Sequence, residues 1–357
     1  MTQRQIFCAE GLPVLQNKMF ATAAEAIACP TGNVVLVQDD RTGLIFNKAF
    51  DPSRLTYDKD YQNEQAFSGV FRRHLADVGS VIDRHFRGRS LIEVGCGKGY
   101  FLQHLRGLGY DATGIDPAYE GANPYVVKSR FEKGSGLSAE GIVLRHVLEH
   151  IPEPLAFLAD ITAANGGKGD IYIEVPCFDW ICRHRAWFDV FYEHVNYFRL
   201  QDFSRIFGHV YESGHVFGGQ YLFVVAELAS FRAAVSEQMD RVEMPTDFLA
   251  GIDRAVSLAR SKDGRRNAIW GGASKGVIFS HYMRRAGVTI DEVIDINPAK
   301  QGRYLAGTGL QVSAPEEALP RLSSGDNIFV MNSNYLDEIV AQSGNKYSYF
   351  RVDHEYF

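Results

Sequence analysis

No apolar run in the sequence approaches the ~20 residues that a bilayer-spanning helix needs. The opening stretch, MTQRQIFCAEGLPVLQ, lacks a charged segment leading into an apolar one, so no secretion signal is expected. Cysteine is sparse and odd in number: Cys8, Cys29, Cys96, Cys177 and Cys182, with no Cys-x-x-Cys pair. That argues against a disulfide framework or a zinc knuckle and for a reducing, cytoplasmic setting. Basic excess is missing too. There are 37 Lys and Arg against 43 Asp and Glu, a net charge of −6, so neither a nucleic-acid nor a membrane partner is expected. What remains is a chain of 357 residues, 46% hydrophobic and 22% charged, which is a globular composition. It is too long for one ordinary core.

The first 62 residues read as a small, irregular domain, with β-like stretches such as Asn33–Gln38 between turn signals. Residues 63–230 form the next domain. Phe67, Val70, Phe71, Leu75, Val78 and Ile82 recur at helical spacing over about 64–85. Strands then alternate with helices: strands at 91–94, 112–115, 141–146 and 170–175, helices at about 101–108 and 154–164, and a late strand at 221–228. Residues 231–265 read as a helical connector broken at Pro245, and residues 266–357 begin a second strand–helix–strand unit. The expected class is α/β: a Rossmann-like doubly wound sheet, a second Rossmann-like domain behind it and the small N-terminal domain in front.

Residues 93–99 read Glu-Val-Gly-Cys-Gly-Lys-Gly between an apolar strand and a helix. Gly95, Gly97 and Gly99 lack the Cβ that would keep a ligand away from the backbone. Glu93, at the strand end, can take an ammonium group, and Asp116, ending the next strand, can accept from ribose hydroxyls. A dinucleotide pyrophosphate would be repelled by Glu93, whereas a sulfonium amino acid would be held by it.

These residues resemble the class I S-adenosylmethionine-dependent methyltransferases: EVGCGKG, then GIDP ending at Pro117, then LRHVLEHIPEP from Leu144. The resemblance implies S-adenosylmethionine as cofactor, S-adenosylhomocysteine as product, and a donor site of Glu93, Gly95, Cys96, Gly97, Gly99, Asp116 and Pro117. It adds Arg145, His146 and Leu148 beside the donor and Phe131 near the adenine. Over about residues 60–345 the chain further resembles the sugar C-methyltransferases that act on nucleotide-linked keto-deoxysugars. Glu193-His194 with Tyr197-Phe198, Gly218-Gly219, the run Asp295-Ile-Asn-Pro-Ala-Lys-Gln-Gly-Arg-Tyr and Asn332-Ser-Asn-Tyr335 carry that likeness. It implies a C-terminal domain that helps to hold substrate, with Tyr57, Lys275, Arg303, Asn332 and Tyr335 as candidates. That family begins with a cysteine-rich zinc domain. Here only Cys8 survives, with Asp39 and Thr42 at the later ligand positions, so no metal is expected.

Methylating a carbon beside a ketone needs a base and a donor to the enolate oxygen. His194 is the candidate base, oriented by Glu193 or another carboxylate, because an imidazole titrates near neutrality. Tyr61, Tyr192 or His150 is the candidate donor, since Phe191 stands where the family has its tyrosine. The same segment also reads as a packed aromatic cap of Trp187, Phe188, Phe191, Tyr192, Tyr197 and Phe198 around its histidines. An O-methyltransferase with His194 as base, an NAD-linked oxidoreductase using residues Gly271–Gly276, and a non-catalytic binding protein stay open at this stage, as does a monomer or a homodimer.

Overall fold

The computed structural model describes residues 3–55, 60–62, 64–232, 240–260 and 264–353. Its centre is a seven-stranded sheet. In chain order the strands are β1 (Leu91–Val94), β2 (Ala112–Ile115), β3 (Val126–Val127), β4 (Gly141–Arg145), β5 (Asp170–Pro176), β6 (Val210–Val216) and β7 (Tyr221–Glu227). Their spatial order is β6-β7-β5-β4-β1-β2-β3, and β7 runs antiparallel to both its neighbours. The strands β1, β4 and β5 are almost wholly buried, as a sheet covered on both faces requires. The chain order reverses direction between β1 and β4, so ligands are expected at the carboxyl ends of these two strands.

Helix α1 (Gly69–Phe86) packs its apolar stripe of Phe71, Leu75, Val78 and Ile82 on the sheet. Ser68 caps it, and Glu338 of the C-terminal domain accepts from the Val70 N–H at 3.1 Å. A carboxylate at a helix N-terminus is favoured by the helix dipole, so this contact also ties two domains together. Helices α2 (Tyr100–Gly107) and α3 (Pro154–Ala164) match the periodicity read from sequence.

The C-terminal sheet has five parallel strands: β8 (Asn267–Trp270), β9 (Glu292–Ile294), β10 (Val312–Ser313), β11 (Asn327–Val330) and β12 (Ser348–Arg351), in the order β10-β9-β8-β11-β12. Helix α4 (Lys275–Arg285) follows β8. The sequence alone left β3, β6, β10 and β12 unassigned. The connector is less helical than its composition indicates: of its described residues only Ala250–Ala259 form an α-helix.

The N-terminal segment is more regular than its sequence suggests. Gln3–Pro13, Thr31–Asp39, Ile45–Asn47 and Asn196–Tyr197 build a four-stranded antiparallel sheet, so one strand comes from far along the chain. Two register irregularities in Gln3–Pro13 break the alternation that would have announced a strand. This lobe is held from both sides. Glu193 Oε1 accepts from the Gln16 N–H at 2.9 Å, and the Ser274 N–H donates to the Gln16 carbonyl at 2.9 Å.

The turn from β8 into α4 allows no side chain at Gly276, where a Cβ would lie 2.0 Å from the Gly271 carbonyl oxygen. Gly276→Val should therefore destabilise the protein by ~1–3 kcal/mol in urea unfolding. Gly107→Ala, where nothing lies within 4 Å, should be neutral or slightly stabilising. Equal effects at the two positions would contradict this packing.

Candidate active site

A cavity of about 330 Å³ lies where the three lobes meet. On one wall, β1 ends in Glu93 and opens into the loop Gly95–Gly99 before α2. All three glycines have positive φ, between +52° and +79°. A Cβ at Gly95 would lie 2.4 Å from Val147, so that glycine is needed for packing. A Cβ at Gly97 would meet no protein atom within 4 Å, so that glycine leaves open space above the backbone. Asp116, at the end of β2, accepts from the Gly97 N–H at 2.9 Å and fixes the loop. Glu93 is buried, and its Oε2 has no hydrogen-bond partner. Burial pushes its carboxyl up to about 8, with Arg145 pulling the other way.

Beneath this wall lies a carboxylate with no solvent exposure. Glu174 on β5 accepts from His74 at 3.0 Å, from Arg145 at 3.0 Å, from His146 at 2.9 Å and from the Tyr172 hydroxyl at 2.8 Å. Burial alone would raise its pKa, but Arg145, His146 and His74 override that and hold it well below the usual carboxylate range. His146 has φ +51°, a left-handed conformation that costs a non-glycine residue energy. Its two ring nitrogens lie near Glu174 and, at 3.4 Å, Glu149. Burial opposes protonation there, yet the two carboxylates raise the pKa to about 9, so His146 is an imidazolium at neutral pH.

His150 and His194 line the opposite side, their rings 5.0 Å apart. The His150 Nδ1–H donates to the Glu193 carbonyl at 2.8 Å. Burial, reinforced by the nearby cations, holds His194 well below its ordinary pKa, so it is a neutral imidazole. The Phe191 ring lies 4.0 Å from it. The third wall comes from the C-terminal domain: Lys275, Lys300, Asn332 and Tyr335. Lys275 Nζ is 3.1 Å from Asp189, and Lys300 Nζ is 3.0 Å from Asp295. The Asn332 amide donates to Gln220 at 2.7 Å, and the Tyr335 hydroxyl donates to Gln65 at 2.9 Å.

Two families match this chain, one over most of the seven-stranded sheet and one over the C-terminal sheet. Residues 63–210 match the methyltransferase domain family, and residues 250–349 match the C-methyltransferase C-terminal domain family. The chain is an S-adenosylmethionine-dependent methyltransferase whose C-terminal domain matches that of C-methyltransferases. It is similar to the C-methyltransferase NovU of Streptomyces niveus, 25% identical over 325 residues that cover 76% of each protein. It is also similar to a tRNA U34 carboxymethyltransferase of Dichelobacter nodosus, 29% identical over 142 residues, 32% of this chain and 44% of that one. Among solved structures, the fold is similar to a Burkholderia thailandensis 1,6-didemethyltoxoflavin-N1-methyltransferase with bound S-adenosylhomocysteine, at 15% identity and TM-score 0.33, covering 44% of this chain and 78% of that chain.

The methyltransferase's donor loop fits the sulfonium cofactor. The unpartnered Glu93 Oε2 suits an ammonium group, and the empty space over Gly97 admits a ligand against the backbone. Of the other donor-site candidates, Gly95, Cys96, Arg145 and His146 line the cavity. Gly99, Asp116, Pro117, Phe131 and Leu148 do not: Pro117 is exposed, and Phe131 and Leu148 are buried core residues.

Three catalytic candidates, His194, His150 and Tyr61, are brought together at the cavity. Two are not. Tyr192 points away: its ring packs on Gly32 and its hydroxyl accepts from the Asp51 N–H at 2.8 Å. Glu193 is buried with its carboxylate on Gln16, Asn17 and Tyr61, so it anchors the N-terminal lobe rather than orienting His194. Arg303 lies outside the cavity, where Lys300, three residues earlier, lines it instead. Tyr57 falls outside the described residues. Sequence reasoning missed Glu174, Glu149, Asp189, Lys98 and Lys300. The one available signal was Glu174, a charge inside the apolar strand IYIEV.

The loop Gly271–Gly276 is no dinucleotide cradle. Such a cradle offers free N–H groups to a pyrophosphate. Here the N–H groups of Gly271, Gly272, Ser274 and Gly276 are taken by Ile294, Asp295, Gln16 and Ala273. Asp295 is occupied as well, by Gly272, Asn297 and Lys300.

Gly97→Val should abolish S-adenosylhomocysteine binding by calorimetry, because the added branch fills the ligand space; no protein atom meets the Cβ, so the fold survives with a local backbone strain of about 1–3 kcal/mol from the φ of +52°. Unchanged affinity would contradict the donor site. Stability should also fall with rising pH. His146 has a pKa near 9 when folded against 6.5 otherwise, so its contribution is complete below 6.5 and is lost as pH rises through 9. Glu93, near 8 against 4.5, adds a loss between those values. From pH 6 to 9.5, urea unfolding should show a decline of about 3–6 kcal/mol, of which the His146 part, about 3 kcal/mol, is lost in His146→Gln. A flat profile in the wild type would contradict the protonation states given.

Proposed function

We propose that this enzyme methylates a carbon beside the ketone of a nucleotide-linked sugar, with His194 as general base. What carries the reading is that the glycine loop Gly95–Gly97, the neutral His194 and the lysines of the C-terminal domain line one cavity. When bound, S-adenosylmethionine supplies the electrophilic methyl. The chain's own residues then have distinct tasks. Glu93 takes the ammonium of the amino-acid moiety, and the backbone at Gly97 carries the ligand.

His194 accepts the proton from the carbon next to the ketone on its ring nitrogen. Burial keeps the ring in its neutral form, so one of its two nitrogens offers a lone pair to that proton at neutral pH. Tyr61 lines the cavity and, turned from Glu193, donates its hydroxyl proton to the enolate oxygen; the His150 Nδ1–H is held by the Glu193 carbonyl, and the Tyr192 hydroxyl lies between the Asp51 N–H and the Ala49 carbonyl. Lys275 and Lys300 face the phosphates, held ready by Asp189 and Asp295. Asn332 and Tyr335 complete that wall, and the aromatic enclosure keeps water from the enolate.

A second reading, O-methylation of a saccharide hydroxyl, draws on Phe191. A phenyl ring stands against His194 where an enolate donor would serve carbon chemistry, and a hydroxyl nucleophile needs only the base.

His194→Ala should bind S-adenosylhomocysteine normally yet transfer methyl ~10²–10⁴-fold more slowly. If His194 served only packing, its loss would cost ~1 kcal/mol of stability and leave the rate per folded molecule intact. Tyr61→Phe separates the two chemistries: it should be slow for carbon and near normal for oxygen. A wild-type rate in His194→Ala would overturn the base in both.

A further inference from the structure

Glu149, His150 and His194 each offer a ligand atom within 4.8 Å of the others, and they are the group among the described residues with that disposition. We infer that these three residues form a zinc-type divalent-cation site inside the methyl-transfer cavity, and that an ion bound there withdraws His194 from proton transfer. Two imidazoles and one carboxylate are a donor set suited to zinc and its neighbours among the transition metals.

Three details of the cluster favour an ion. First, Glu149 is 1% exposed and its Oε2 has no hydrogen-bond partner. A buried carboxylate oxygen left unbonded is costly, and an ion would satisfy it. Second, His150 is already oriented by its Nδ1–H bond to the Glu193 carbonyl at 2.8 Å. That bond fixes the tautomer with Nε2 as the lone-pair donor, as second-shell carbonyls do for metal-bound histidines. Third, His194 sits between Phe191 and His150 rings, so little water competes for its lone pair.

The walls around the cluster bound its strength. Glu149 shares its charge with His146 at 3.4 Å, and Lys275 lines the same cavity. Two nearby cations make the site weaker than a structural zinc site. A short inward shift of the side chains brings the ligands to the ~2.0–2.2 Å bonds of zinc. An ion held there uses the His194 lone pair that would otherwise take the substrate proton, so occupancy is inhibitory. That consequence rests on the reading of His194 as base; the binding itself does not.

Cobalt(II) titrated into the full chain with S-adenosylhomocysteine present reads the site directly. One equivalent per chain should give a visible d–d absorption band, and zinc should bleach it. Glu149→Gln and His194→Asn should each weaken cobalt binding at least tenfold while still binding S-adenosylhomocysteine, which shows that they are folded. Cys8→Ser should leave the band unchanged, excluding the exposed thiol. Absence of the band in the wild type, or a band that survives in both cluster variants, would overturn the proposal. S-adenosylhomocysteine binding measured on the same samples tests the donor site separately, so failure of one reading does not pass for failure of the other.

Discussion

The carboxylate of Glu174 is the point on which the site depends. It is buried at the carboxyl end of β5 and accepts hydrogen bonds from a helix residue, His74, a strand residue, Arg145, a strained loop residue, His146, and its own strand's Tyr172. Isolated, it would be among the most expensive groups in the chain. Surrounded by these donors it becomes a hub whose loss would leave a buried arginine and a protonated histidine unmatched, and breaking such a pair costs about 3–5 kcal/mol. The hub sets the direction of Arg145 and His146, which line the cavity beside Glu93. It also locks α1 to the sheet edge where ligands are expected.

A second carboxylate, Glu193, does the corresponding task for the lobes. It binds the Gln16 and Asn17 N–H groups and the Tyr61 hydroxyl. His194, next in sequence, faces the cavity instead. Adjacent residues thus divide two tasks, one closing the N-terminal lobe over the site and one serving the proposed chemistry. The C-terminal domain closes the third side through Gln16 and through Asn332, whose amide reaches Gln220. The glycine-loop wall and the lysine-bearing wall of the cavity therefore rest on different domains, held in register by a few buried polar contacts.

Much of this was legible in the sequence because it is local. β1, β2 and α3 fall where apolar periodicity indicates, and the glycine loop takes the positive φ angles that only glycine adopts cheaply. What sequence concealed is what depends on direction and on distance. Gln3–Pro13 escaped because its bulges break the alternation. Val210–Val216 escaped because an edge strand with a half-exposed face carries Glu, Ser and His where a central strand carries valine. Tyr192 and Glu193 were grouped with His194 because they adjoin it, but neighbouring side chains on a loop need not share a face. Lys300 was missed in favour of Arg303 because three residues of a turn separate a cation that lines the cavity from one that does not.

The central claim is that His194 removes a proton from carbon, and isotope exchange tests it without methyl transfer. A nucleotide-linked ketosugar would be incubated with the enzyme and S-adenosylhomocysteine in deuterium oxide, and the hydrogens beside the ketone followed by proton NMR. The account predicts enzyme-dependent wash-in of deuterium at one carbon, slowed by at least a hundredfold in His194→Ala. Exchange at equal rates in wild type and His194→Ala, or no exchange by an enzyme that methylates the same sugar, would contradict it.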